Sequence, residues 1–71
     1  MSYQPATATQ IKFLGDLMRM AGYSTEEEVS EYQRNLARLA EQGDPYASAE
    51  KVLGLIDYNL DQYANHLFPV L

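Results

Sequence analysis

Three pairs of helix start and stop signals divide this chain, and they constrain its fold more than any other feature. The first helix is predicted to begin at Thr7, because Gln10 three residues later completes a capping box. It is predicted to end at Gly22, since glycine readily adopts the left-handed conformation that closes a helix. Residues 1–6 include Pro5, which disfavours helical backbone before it, and we expect them to form a flexible arm.

The second helix carries two alternative start signals. Ser24 with Glu27, and Thr25 with Glu28, both have the spacing of a capping box. The helix is predicted to end at Gly43. Its apolar side chains recur on one stripe, whose members are Val29, Tyr32, Leu36, Leu39 and Ala40.

The third helix has the strongest apolar periodicity in the chain. It is predicted to begin either near Asp44 and Pro45 or at Ser48, and to end before Pro69. The apolar residues fall within a narrow sector at helical spacing, which is typical of a core-facing stripe. These residues are Ala49, Val52, Leu53, Ile56, Leu60, Tyr63, Ala64 and Leu67.

These signals predict an all-α fold, a compact three-helix domain that spans residues 7–71. Short links between the helices indicate neighbours that pack roughly antiparallel. No sustained alternation of apolar and polar residues, and no Asn-Gly or Asp-Gly turn, competes as a strand pattern.

Composition and charge narrow the classes of protein to which this chain can belong. The 71 residues contain no cysteine, which excludes disulfides and thiolate metal sites. Ten acidic and five basic residues give a net charge of −5, which repels nucleic-acid phosphates and attracts a basic partner. Since no apolar run approaches the ~20 residues of a membrane span, and residues 1–6 lack a signal-peptide pattern, we expect a cytoplasmic protein without membrane contact.

The ionisable residues offer little for catalysis. Asp57 and Asp61 lie four residues apart, and Glu50 projects at a similar angle, but all three lie off the apolar stripe and should be solvated. His66 is the only histidine, and Asp61 precedes it by five residues, a poor spacing for two metal ligands on one helix. We therefore predict a protein that is not an enzyme and that has no catalytic residues, metal or cofactor.

The charged residues have structural interpretations. Three consecutive glutamates at 26–28 fall in the first turn of a helix, where free amide groups stabilise negative charge. Four basic residues could contact nucleic acid, but each lies among acids, so we do not expect direct nucleic-acid binding. These four residues are Lys12, Arg19, Arg34 and Arg38.

Several apolar residues fall away from the predicted core and are candidates for binding a partner. Tyr58 lies on the back of the third helix, with Leu55 beside it and Gln62 one turn further on. Tyrosine is enriched in protein interfaces because it buries a large ring and keeps a polar tip. Phe13 and Met20 lie at the edge of an apolar arc on the first helix that is wider than one packing partner requires. The apolar tail at 68–71 could belong to either the core or an interface.

Two segments carry a resemblance to a group of known proteins. Residues 6–14, with their Ala-Thr-x-x-Gln start, and the following Leu17, Ala21 and Gly22 resemble the opening of small helical proteins of phages and actinobacteria. Residues 48–57 and Leu60 are similar to a later helix of these proteins. The resemblance implies a small phage-type or bacterial accessory protein with no catalytic residue.

These observations predict a non-enzymatic protein–protein interaction module, a small phage-type protein that binds and modulates a host protein in the host cytoplasm. One alternative is an accessory protein of nucleic-acid processing. Another is a self-associating structural domain, most simply a homodimer.

Overall fold

The computed structural model describes residues 2–22 and 24–67, and it has three α-helices. The predicted all-α three-helix domain is therefore confirmed. A short 3-10 turn connects the second helix to the third. The elements are α1 (Ala8–Ala21), α2 (Glu26–Glu41), the 3-10 turn (Pro45–Ala47) and α3 (Ala49–Leu67).

Side-chain caps set the helix ends, as the sequence predicts. Thr7 and Gln10 form a reciprocal capping box in which the Gln10 amide donates to Thr7 Oγ1 at 3.0 Å and the Thr7 amide donates to Gln10 Oε1 at 2.9 Å. Gly22 closes α1 with a φ of 76°. At α2, the structure uses the second of the two predicted caps, the box formed by Thr25 and Glu28.

Both predicted starts of the third helix are used, each by a different element. The Asp44 carboxylate accepts from the Tyr46 amide at 2.9 Å and caps the 3-10 turn. Ser48 then adopts extended backbone, with ψ of 157°, which interrupts the helical path. Its hydroxyl oxygen accepts from the Lys51 amide at 3.1 Å and caps α3.

The segment before α1 packs against the connection between the 3-10 turn and α3. The Ala6 amide donates to the Ala47 carbonyl and the Ala49 amide donates to the Gln4 carbonyl, both at 2.8 Å. The Tyr3 hydroxyl donates to the Asp44 carbonyl at 2.7 Å. These contacts differ from those expected of a flexible arm. Backbone groups in the two segments lie outside the α-helices, so they form hydrogen bonds with each other instead.

α1 occupies the middle of the domain and packs against both α2 and α3. Among the described residues, no Cα atom of α2 lies within 8 Å of one in α3. The wide apolar arc of α1 therefore covers two helices, and its edge at Phe13 and Met20 stays exposed. The shared core consists of Ala6, Ile11, Leu14, Leu17, Leu36, Ala40, Ala47, Val52 and Ile56.

α1 and α3 begin at the same end of the domain. The Gln10 side-chain amide reaches the Ala49 carbonyl at 3.4 Å, which brings the first turns of both helices together. Since short links make α2 run against each of its chain neighbours, α1 and α3 run in the same direction.

A close approach between α1 and α2 occurs at Gly15. The side chain of Gln33 crosses over this glycine, donates to the Ile11 carbonyl at 3.2 Å and accepts from Arg19 Nη2 at 3.0 Å. A Cβ atom at Gly15 would overlap the Gln33 amide group. Arg19 also donates to Glu26 Oε2 at 2.8 Å, so one polar network joins the two helices.

Acid should weaken the domain, and the cap of α2 provides the test. The hydrogen bond from the Thr25 amide lowers the pKa of Glu28. The ionised Glu28 side chain therefore stabilises the fold above the ordinary glutamate pKa of about 4.3, and this stabilisation is lost as pH falls through the lower folded-state pKa. Glutamine keeps the capping box without a charge. We expect Glu28→Gln to lose less stability than the wild type between pH 7 and about pH 3, measured by urea unfolding. An equal loss in both proteins would show that the cap does not contribute to acid sensitivity.

Candidate functional site

The predicted partner-binding residues lie on two separate surfaces. Leu55 and Tyr58 line an open groove on α3 of about 600 Å³, here called the tyrosine groove. Phe13 and Met20 lie on α1 and are roughly half exposed. Gln62 is exposed on α3 but does not line the groove. The other residues that line the groove are Ser48, Glu50, Lys51 and Gly54.

Tyr58 is the one aromatic residue among those that line the tyrosine groove. Gly54 has open space where a Cβ atom would project, and the neighbouring Tyr58 side chain is 63% exposed. Lys51 Nζ lies 5.7 Å from the centroid of the Tyr46 ring, within range of a cation–π interaction. The Tyr46 hydroxyl lies 3.5 Å from that of Tyr32, and burial together with this contact raises the pKa of Tyr32.

Leu55 differs from the expectation that it lies off the core. Its side chain is only partly exposed and packs against the buried cluster. The reason is its position next to Val52 and Ile56, the two core residues of α3, on the edge nearest the 3-10 turn. Leu55 therefore packs between the core and the groove. Of this pair, Tyr58 is the side chain that is exposed for contact with a partner.

A second surface combines residues of α1 and α3. Four large apolar side chains remain 41–52% exposed, and we call them the apolar strip: Phe13, Met20, Leu53 and Leu60. On each helix the two residues are seven apart, so they differ in direction by only about 20° and in height by about 10 Å. Because the first turns of α1 and α3 meet and the two helices pack together, we expect Phe13 to lie near the level of Leu53 and Met20 near that of Leu60.

Both halves of the apolar strip lie on the same side of the domain. On α1, Gly15 faces α2, and Phe13 and Met20 lie beyond the opposite, α3-facing edge. On α3, Lys51 faces the 3-10 turn, and the strip residues lie on the other edge of the buried sector. The strip therefore follows the seam between α1 and α3 on the side that neither α2 nor the 3-10 turn covers.

The sequence placed Leu53 and Leu60 in the core stripe of α3, and this assignment is wrong. Val52 and Ile56 are buried, but Leu53, Leu60 and Ala64 are exposed. Within the described residues, α1 is the only α-helix that packs against α3, and it covers only part of the apolar sector. The sequence shows which residues form the apolar sector of α3, but it does not show how many helices pack against that sector.

Acidic side chains border the apolar strip on α3. Asp57 and Asp61 are exposed and, at 100° per residue, project next to Leu53 and Leu60 around the helix. Glu50, which also lines the tyrosine groove, is exposed and projects at a similar angle. These three residues extend over about 16 Å along the axis, at 1.5 Å per residue. The strip therefore has a negative border along its α3 side.

The border on α1 is closer to neutral. Lys12 Nζ lies 3.0 Å from an Asp16 carboxylate oxygen, and Arg19 contacts both Asp16 and Glu26. These ion pairs lower the pKa of Asp16, chiefly through the hydrogen bond from Lys12. Two of the four cations considered for nucleic-acid binding are thus already paired with carboxylates.

The described part of the chain offers no assembled site for metal chemistry. Across residues 2–22 and 24–67, no three His, Asp or Glu side chains are grouped so that they could hold a metal ion. None of the helices in that part is both long and apolar enough to cross a bilayer. The side chain of His66 and the tail at 68–71 lie outside the described residues.

Comparison with protein-family models, with curated proteins and with solved structures finds no match to this chain. The resemblance of residues 6–14 and 48–57 to small phage and actinobacterial proteins therefore stays a prediction.

Proposed function

We propose that this protein is a non-enzymatic protein–protein interaction module, a small phage-type protein that binds and modulates a host protein in the cytoplasm. The observation that carries the proposal is the apolar strip. A 71-residue domain has few large apolar residues, and stability alone would favour burying them. Contiguous exposed apolar side chains with a polar border are typical of a binding surface.

The test is affinity capture from a host lysate with the tagged full chain, with and without nuclease. We expect one dominant protein that survives nuclease treatment and is lost with the double variant Leu53→Ser/Leu60→Ser. The matched control is Glu31→Gln/Glu41→Gln on exposed positions of α2, which should capture the same protein. Circular dichroism should show equal helix content in all three proteins.

The same experiment separates the two alternatives. Capture that disappears with nuclease would reject the interaction module in favour of the nucleic-acid accessory role. Capture that persists unchanged in Leu53→Ser/Leu60→Ser would show that the apolar strip is not the contact surface. Light scattering of the purified protein would detect self-association as a dimer. If the tagged chain captures only untagged copies of itself, the host-protein proposal is rejected in favour of a homodimer.

A further inference from the structure

We infer that the apolar strip receives a basic amphipathic helix of the partner, which lies along the seam between α1 and α3. This inference rests on the proposed function and names the chemistry of the partner. It draws on two independent features of the surface, the spacing of the apolar side chains and the charge of the border.

The spacing of the strip matches a helical ligand. Phe13 and Met20 form one exposed row on α1, and Leu53 and Leu60 form another on α3. Packed helices lie about 8–10 Å apart, so the rows flank a groove whose width suits one further helix. An amphipathic helix places apolar residues at i, i+3, i+4 and i+7, which span the about 10 Å between the two levels of the strip.

The border selects the charge of that helix. Glu50, Asp57 and Asp61 lie along one side of the seam and are exposed. Lysine or arginine on the matching flank of the ligand would pair with them and would accelerate association at low salt. An acidic helix would place like charges side by side along the same 16 Å or so of α3.

A second copy of this chain fits the strip less well. Each copy carries a net charge of −5, and a two-fold interface would bring two acidic borders to one contact. Charge complementarity thus favours a basic partner over a homodimer.

The experiment uses the full chain and three synthetic 18-residue peptides. The first has leucines that repeat at the spacing i, i+3, i+4 and i+7 along its whole length, and lysine at all remaining positions. The second replaces every lysine by glutamate, and the third scrambles the first so that its leucines no longer form a stripe. Binding is measured by fluorescence anisotropy at low and at high salt.

We expect the lysine peptide to bind at least tenfold more tightly than the other two, and to weaken as salt increases. Leu53→Ser/Leu60→Ser on α3, and separately Phe13→Gln/Met20→Gln on α1, should each reduce affinity about tenfold or more. Asp57→Asn/Asp61→Asn should reduce affinity and flatten the salt dependence. The matched charge control, Glu31→Gln/Glu41→Gln, removes the same number of charges from α2 and should leave affinity nearly unchanged.

Three results of the peptide-binding experiment would overturn the inference. The glutamate or the scrambled peptide could bind as tightly as the lysine peptide, the strip variants could bind as the wild type does, or the lysine peptide could fail to bind. If the lysine peptide fails while lysate capture still depends on Leu53 and Leu60, the interaction module stands and only the partner chemistry is wrong. If both fail, the proposed function falls as well. A dimer that dissociates in the strip variants would identify a second copy as the occupant.

Discussion

Leu14→Ala is expected to leave much of the protein unfolded at room temperature, whereas Leu53→Ala is expected to leave folding almost unchanged. Leu14 is 1% exposed in the central helix α1, and Leu53 is 52% exposed on α3. Removing a fully buried leucine side chain costs about 2–5 kcal/mol. A domain of this size has only about 3–5 kcal/mol of stability from its core, so this loss is comparable to the whole.

The two variants delete the same atoms and differ only in burial, which makes them matched controls. Urea unfolding followed by circular dichroism gives the free energy of unfolding for each protein. A cost below about 1 kcal/mol for Leu14→Ala would mean that the site collapses around the deletion or that the core is more loosely packed than described. A large cost for Leu53→Ala would mean that the strip is covered in the free protein, which would undermine its use as a binding surface.

The helix ends could be predicted from the sequence because their causes are local. A capping box needs only two residues three apart, as in Thr7 with Gln10, and a left-handed closure needs only Gly22. The capping-box rule does not distinguish Ser24 from Thr25, because each is followed three residues later by a glutamate. The alternative starts at Asp44 and Ser48 were both correct, because two elements lie where the sequence suggested one.

Features that depend on which segments meet could not be predicted. The packing of residues 2–6 rests on hydrogen bonds such as that from the Ala6 amide to Ala47, more than 40 residues away. The exposure of Leu53 and Leu60 depends on how many helices cover α3, and the burial of Leu55 depends on the same geometry. Of the candidate site, the exposed Tyr58, Phe13 and Met20 could be found from helical periodicity, but the pairing of α1 with α3 into one strip could not.

Gly15→Leu is expected to destabilise this domain, while Gly54→Ala is expected to stabilise it. Both glycines lie inside helices, where replacing glycine by alanine gains about 1 kcal/mol in helix propensity. Gly54 has open space around the position of a Cβ atom, so Gly54→Ala should gain most of this amount. Gly15 lies beneath Gln33, and a leucine there would have to displace that side chain from its place between α1 and α2.

Overpacking of this kind costs about 1–3 kcal/mol, and the displaced Gln33 would also give up its hydrogen bonds to the Ile11 carbonyl and to Arg19. A double-mutant cycle isolates the cause. In the Gln33→Ala background the obstructing amide is absent, so Gly15→Ala should be more favourable there than in the wild type. Thermal and urea unfolding of the four proteins measure the coupling free energy, which we expect to be about 1 kcal/mol or more. A coupling near zero would show that Gln33 does not set the requirement for glycine, and the close approach of α1 to α2 would then need another explanation.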